Sequence, residues 1–233
     1  MSTTSMERIA VQLPEAESVS ALLCVPADAH ACFVFAHGAG AGMEHAFMAA
    51  MAEALAERSI ATLRYQFPSM ERGSKRPDPP GIAHAAVRAA VAEAGRRLPK
   101  LPLFAGGKSF GGRMSSQAQA ESAMPGVRGL VFVGFPLHPA GKPSQERAAH
   151  LLKVDCRMLF LQGTRDELAE LSLLQEVLRP LGERATLKIF DDADHSFHVR
   201  ARSGQTDDQV RAAMVEAMVQ WFGASPLTAR PRP

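Results

Sequence analysis

Two kinds of segment alternate along the chain. Short runs such as CFVFA (32–36), LVFVG (130–134) and MLFLQ (158–162) are apolar at nearly every position. That is the pattern of parallel strands covered on both faces. Between them lie Ala-, Leu- and Glu-rich stretches whose apolar residues recur at helical spacing. The pattern predicts strands over 8–13, 19–25, 32–36, 61–65, 101–105, 129–134, 158–162 and 187–190. It predicts helices over 44–58, 81–98, 112–122, 145–152, 167–181 and 207–222. Strand–helix alternation of this kind defines one α/β domain, with a mostly parallel sheet and helices on both faces. The first two strands have no helix between them and are expected to form an antiparallel hairpin at one edge. PSMERGSKRPDPPG (68–81) reads as a loop inside the domain, which is expected to span 1–223. The tail 224–233 has three prolines and little to bury, and is expected to be disordered.

Composition narrows the classes of function. At 233 residues, 46% apolar, 21% charged and +2 net, the chain is an ordinary globular sequence. The charge gives no footprint for nucleic acid or an anionic membrane, and no apolar stretch is long enough to span a bilayer. Cys24, Cys32 and Cys156 are too few and too scattered for a disulfide framework or a zinc site, and each lies in or beside an apolar run. The N-terminus has no basic patch followed by an apolar block. A cytoplasmic location follows as an expectation, with no metal and no cofactor. Oligomeric state is not readable from the sequence.

LFAGGKSFGGR (103–113) admits two chemistries. A phosphate-binding loop needs glycine six residues before its lysine, so that backbone N–H groups can wrap the phosphates. Pro102 holds that position here, and it has no N–H to offer. No later strand ends in a metal-binding aspartate either. A nucleophilic serine needs something else: a strained strand-to-helix turn flanked by residues without side chains. Gly107 and Gly111 stand two positions either side of Ser109, with Gly106 and Gly112 beyond them. An apolar strand precedes the turn and a helical segment follows. Ser109 is the candidate nucleophile.

A serine hydroxyl reacts only when a base takes its proton, and that base must be oriented by a carboxylate. RMLFLQ runs into GTRDE, placing Asp166 just past a strand end, while LKIF runs into DDADHSF, placing His195 in the next loop. His198 is the main rival for the base. His195 is favoured because it sits nearer the strand end among small neighbours. Glu167 adjoins Asp166 but belongs with the following helix, and Asp191, Asp192 and Asp194 are better suited to capping the turn. An early loop, HGAGAG (37–42), is placed to aim backbone N–H groups at the serine. The expected oxyanion donors are Ala39 and Phe110, with Gly40 as an alternate for the first, and His37 is expected to brace the loop.

With these residues in place, HGAG, GKSFGG, GTRDE and DADHSF resemble the α/β-hydrolase superfamily in the expected order over residues 30 to 222. The likeness is to its small branch near dienelactone hydrolases. YQFPSMERG and GFPLHPAGKP are similar to segments of a family named after a testis-expressed protein. The resemblance implies Ser109 as nucleophile, Asp166 as acid, His195 as base and the loop around Ala39 in the oxyanion hole. Typical dienelactone hydrolases carry cysteine where this chain has serine, which argues against dienelactone itself. Between the strands flanking 136–155 there is too little chain for a cap domain, so the site should be open. Gly40, Phe67, Met70, Phe135, Leu137 and Phe197, beside Phe110, are candidates for an apolar pocket wall, and several of them equally for core. Lys108 and Arg64 are placed either to meet an anionic substrate or to pair structurally. The expected activity is hydrolysis of a small ester or thioester through an acyl-enzyme. A non-catalytic interaction module and a serine peptidase on the same scaffold are the alternatives.

Overall fold

The structure, a computed structural model, describes residues 4–14, 17–74 and 76–224. Its centre is an eight-stranded sheet in the order β1-β2-β4-β3-β5-β6-β7-β8. The strands are β1 (Thr4–Gln12), β2 (Ser18–Pro26), β3 (Ala31–Ala36), β4 (Ile60–Tyr65), β5 (Leu103–Lys108), β6 (Val127–Val133), β7 (Arg157–Gly163) and β8 (Ala185–Phe190). The helices are α1 (Ala46–Ala56), α2 (Pro68–Glu71), α3 (Pro80–Arg97), α4 (Phe110–Glu121), α5 (Leu171–Leu178) and α6 (Asp207–Gly223). β1 and β2 form the expected edge hairpin, β2 joins β4 antiparallel, and every pairing from β4 to β8 is parallel.

Two apolar layers explain why the central strands lack polar positions. In β3, Cys32, Val34 and Ala36 face one side, with α3, α4 and α5, while Ala31, Phe33 and Phe35 face the other, with α1 and α6. β6 and β7 split the same way: Leu130, Phe132, Met158 and Phe160 against Val131, Val133, Leu159 and Leu161. A period of two in a strand covered on both faces needs apolar residues at each step. At the hairpin only one face is covered, and β1 accordingly buries Ile9 and Val11 between exposed neighbours.

Several boundaries depart from the sequence pattern. Residues 145–152 are not α-helix but part of a 3-10 helix, Glu146–Lys153. The expected helix over 167–181 shrinks to α5, followed by a 3-10 segment, Arg179–Arg184, in which Pro180 and Gly182 (φ 57°) prevent regular helix. Part of the expected loop at 68–81 is the short α2, whose Ser69 N–H donates to the buried Asp78. β5 runs on through Gly106 and Gly107 to Lys108 instead of stopping at 105. Between β6 and β7 the 3-10 helix is the sole helical element, so among the described residues no cap of helices is inserted there. Ala224 follows α6, and the remainder of the expected tail, 225–233, lies outside the described residues.

Strand order also locates a crevice. The chain steps from β3 to β4 on one side, then returns to place β5 on the other side of β3. Ligands in open α/β sheets sit outside the carboxyl ends of the strands where the order reverses in this way. Here the loops after β3 and β5 meet at that point.

Candidate active site

The turn after β5 is built from close backbone approaches. A Cβ on Gly106 would lie 1.9 Å from the Val131 carbonyl oxygen, one on Gly107 2.3 Å from that of Ala36, and one on Gly111 2.6 Å from that of His37. Any side chain at these positions would push neighbouring strands apart. Ser109 itself sits at φ 48°, ψ −113°, as the residue before the first turn of α4. A non-glycine residue there carries backbone strain, held in place by the packing around it and by the bond from Ser109 N–H to the Val133 carbonyl (3.1 Å). The result is a hydroxyl raised above the sheet.

Three side chains meet at this rim. Ser109 Oγ lies 2.8 Å from His195 Nε2, and His195 Nδ1 lies 2.7 Å from Asp166 Oδ2. Asp166 is buried and its other oxygen accepts from the Leu168 N–H at 2.8 Å. With Nδ1–H donating to the carboxylate, Nε2 is left as acceptor for the serine proton. Glu167 is exposed, whereas Asp166 is buried against the ring. His198 is largely exposed and bound to Asp207 at 2.9 Å, which raises its pKa through a hydrogen bond and charge, so it takes no part in this cluster. Asp194 caps the turn, accepting from the N–H groups of Ser196 (2.8 Å) and His198 (3.0 Å).

The loop after β3 forms the opposite wall. His37 is buried; it donates from Nδ1 to the Gly38 carbonyl (2.7 Å) and accepts the Phe67 N–H at Nε2 (3.0 Å). Burial lowers its pKa, and its ring has no free nitrogen for proton transfer. Gly38 abuts Ser109, since a Cβ there would be 3.9 Å from Ser109 Cβ. Phe110 opens α4, so its N–H has no carbonyl partner within the helix, and the positive end of the helix faces the serine. Ala39 lines the cavity that contains Ser109.

That cavity, about 410 Å³, is walled by Gly38, Ala39, Ala41, His45, Phe47, Met48, Lys108, Leu168 and Ser196 around Ser109 and His195. The pocket expected from sequence is different. Phe67 is buried beside His37 and Tyr65, Phe135 packs edge-to-face against Phe132 and Phe160, and Phe197 packs on Phe190. All three belong to the core, as does Leu137. Met70 reaches toward Gly42, and neither Met70 nor Gly40 lines this cavity. Arg64 lies inside β4, buried, donating to the Met43 carbonyl at 3.1 Å, and it braces the loop after β3 instead of meeting a ligand. A larger groove, about 730 Å³, lies between β1 and α1. It is lined by Asp28, Glu53, Glu57 and Ser59 among others, and the Ser59 hydroxyl donates to Asp28 at 2.7 Å with no histidine among the lining residues.

Sequence reasoning missed two supports. Gln162, fully buried at the end of β7, donates to Asp166 Oδ2 and accepts the Phe135 N–H at 3.0 Å, tying the loops after β6 and β7 together. A polar residue closing an otherwise apolar strand was its only signal. His138 does similar work: it accepts the Glu170 N–H at 3.1 Å while its own N–H donates to the Leu168 carbonyl. Among the described residues no group of histidine, cysteine and carboxylate side chains is arranged to hold a metal ion, and no helix is long and apolar enough to cross a membrane. The three cysteines are free thiols.

A doubly wound α/β domain with a strained serine at its switch point, and a histidine and an aspartate from the next loops beside it, is the architecture of the α/β hydrolases. Residues 29–223 match the family model described as an alpha/beta hydrolase domain, and the chain belongs to that family. Its fold is shared with dienelactone hydrolase from Anabaena variabilis (TM-score 0.76, 21% identity, 94% of this chain and 97% of that one). A lidless α/β serine hydrolase from Xanthomonas campestris is similar (TM-score 0.72, 21% identity, 95% and 97%). So is the esterase domain of a Rhodothermus marinus protein (TM-score 0.70, 16% identity, 93% and 97%).

Proposed function

We propose that the chain is a serine hydrolase that cleaves small esters or thioesters through an acyl-enzyme on Ser109. The observation that carries this reading is the continuous relay from Ser109 Oγ through the His195 ring to Asp166, at 2.8 and 2.7 Å. Ser109 attacks the carbonyl carbon while His195 Nε2 takes the hydroxyl proton and Asp166 holds the ring and its developing charge. The N–H groups of Ala39 and Phe110 receive the oxyanion. His195 then protonates the leaving alcohol or thiol, and afterwards draws a proton from the water that releases the acid. Donors fixed before the reaction stabilise the transition state without reorganisation, often the largest single contribution in acyl transfer.

The uncapped, modest cavity supports small or extended substrates over long acyl chains. Its mixed wall of Ala39, Ala41, Phe47, Met48 and Leu168 supports a short apolar acyl or alkyl group. Replacing Ser109 with Ala is expected to abolish turnover of a p-nitrophenyl ester while leaving the circular dichroism spectrum and Tm unchanged. Wild-type turnover in that variant would sink the assignment. Release of amine from dipeptide amides at rates above those for esters would move the reading to a peptidase. A chain that turns over neither class would move it to an interaction module.

A further inference from the structure

Lys108 is the last residue of β5 and the covalent neighbour of the nucleophile. Its stem passes Gly38, with Cγ 3.6 Å from the position of a Cβ there, and its ammonium turns behind the catalytic cluster. There Nζ donates a short hydrogen bond to the main-chain carbonyl of His195. It also lies 5.6 Å from the centre of the Phe197 ring and 3.2 Å from where a Cβ on Gly134 would be. Gly134, at φ 68°, leaves the space that the ammonium and the imidazole share, for the same Cβ would lie 3.4 Å from His195 Cε1 and Nδ1. Among the described residues the ammonium makes no ion pair with a carboxylate. Asp166 and Asp194 act on it from further away.

Asp166 and Ser109 fix the two ends of the His195 ring, but the ring's reach depends on where its main chain lies. We propose that Lys108 is a positioning residue, whose ammonium grips the His195 carbonyl and so keeps the base in register with the adjacent nucleophile. The grip joins the main chain of the base's loop to the residue next to Ser109, beside the direct bond between the Ser109 hydroxyl and the His195 ring. This inference rests on the acyl-transfer reading of Ser109, His195 and Asp166.

Charge gives the link a pH dependence. Burial pushes the Lys108 ammonium down from its ordinary 10.5 to about 8, against the opposing pull of Asp166 and Asp194. The groups facing it are Asp166 from the loop after β7, and Asp194, His195 and the Phe197 ring from the loop after β8. Gly134 after β6 and Gly38 after β3 bring no charge. Below pH 8 the bond is charge-assisted; above it, a neutral amine donates a weaker bond, roughly half as strong. The grip therefore weakens as pH rises.

The test compares the full-length wild type with K108R and K108M. It reads kcat and KM on p-nitrophenyl acetate and the rate of Ser109 labelling by a fluorophosphonate, from about pH 6 to about pH 10. In the wild type both kcat and labelling rate are expected to fall above pH about 8. K108M is expected to lose roughly 10- to 100-fold in kcat, with KM within about twofold, and to show no such limb. K108R, which stays charged, moves the limb upward by at least about one pH unit. A K108M profile that keeps the wild-type limb overturns the proposal, whether or not its overall rate is lower, because a merely structural role scales the whole profile. A wild type with no alkaline limb overturns it too. Should K108M not fold, the K108R profile decides alone: a raised limb supports the grip, an unmoved one refutes it. If wild-type Ser109 does not label at any pH, the acyl-transfer reading itself has failed, and this inference falls with it.

Discussion

Gly163→Ala isolates the contact between the two loops that carry Asp166 and His195. Gly163 ends β7, three residues before Asp166, and a Cβ built on it would lie 2.2 Å from the Ala193 carbonyl oxygen and 3.0 Å from that of Asp194. Carbon and oxygen settle at about 3.3 Å, so the loops must separate by roughly 1 Å. That carbonyl of Ala193 also accepts the Arg165 N–H at 2.9 Å, and His195 follows two residues later. The shift therefore falls on the 2.7 and 2.8 Å bonds of the relay. Misplacement of about 1 Å costs on the order of 10²-fold in rate, and a hundredfold is about 2.7 kcal/mol of barrier. Overpacking also costs about 1–3 kcal/mol of stability. The assay is kcat and KM on p-nitrophenyl acetate beside thermal unfolding, with G81A as a control. Gly81 lies in α3 with nothing within 4 Å of its Cβ position, so there alanine is expected to leave kcat unchanged and to stabilise by about 0.5 kcal/mol. A folded G163A protein within about threefold of wild-type kcat would refute the claim that loop spacing sets the relay.

Other outcomes follow from the same geometry. Asp166→Asn keeps the shape but offers an amide that disfavours the Nδ1–H tautomer, and kcat should drop by roughly 10³- to 10⁴-fold with little change in KM. His150 lies against Ser116 at 2.7 Å, and burial with nearby Arg113 lowers its pKa from 6.5 to about 4. Below pH 6.5 the unfolded chain binds a proton that the folded chain refuses until about pH 4, so stability is lost as pH falls through that window. His37 acts in the same direction. A Tm-versus-pH series should show the decline, and H150Q should flatten it; an H150Q curve parallel to wild type would contradict the cause. Burial pushes the Cys32 and Cys156 thiols to about 12 and raises that of Cys24, so Ellman's reagent at neutral pH should react slowly until the chain is unfolded.

Local signals carried most of the fold. Continuous apolar runs disclose strands buried on both faces, because no position in β3, β6 or β7 near the centre faces water. Ser109 was legible for the same kind of reason, since glycines at 106, 107, 111 and 112 are needed wherever backbones approach within a Cβ's radius. Asp166 and His195 follow from strand ends that the topology brings to one rim. The pocket wall was not legible. Phe67, Phe135 and Phe197 are as apolar as Phe47, and only tertiary packing sends the first three into the core while Phe47 reaches the cavity and the buried Met48 forms its floor. Likewise, nothing local tells that Lys108 turns behind the histidine, or that Arg64 is consumed by the Met43 carbonyl. The weakened helices at 145–152 and 167–181 show propensity overridden by short spans and by Pro180 and Gly182.

Intact-mass and peptide mapping after treatment with a fluorophosphonate read out whether Ser109 is the activated nucleophile. One adduct per native chain is expected, carried by the peptide containing Ser109, absent after denaturation and absent from S109A. A native chain that stays unlabelled, or a label that persists in S109A, would contradict it.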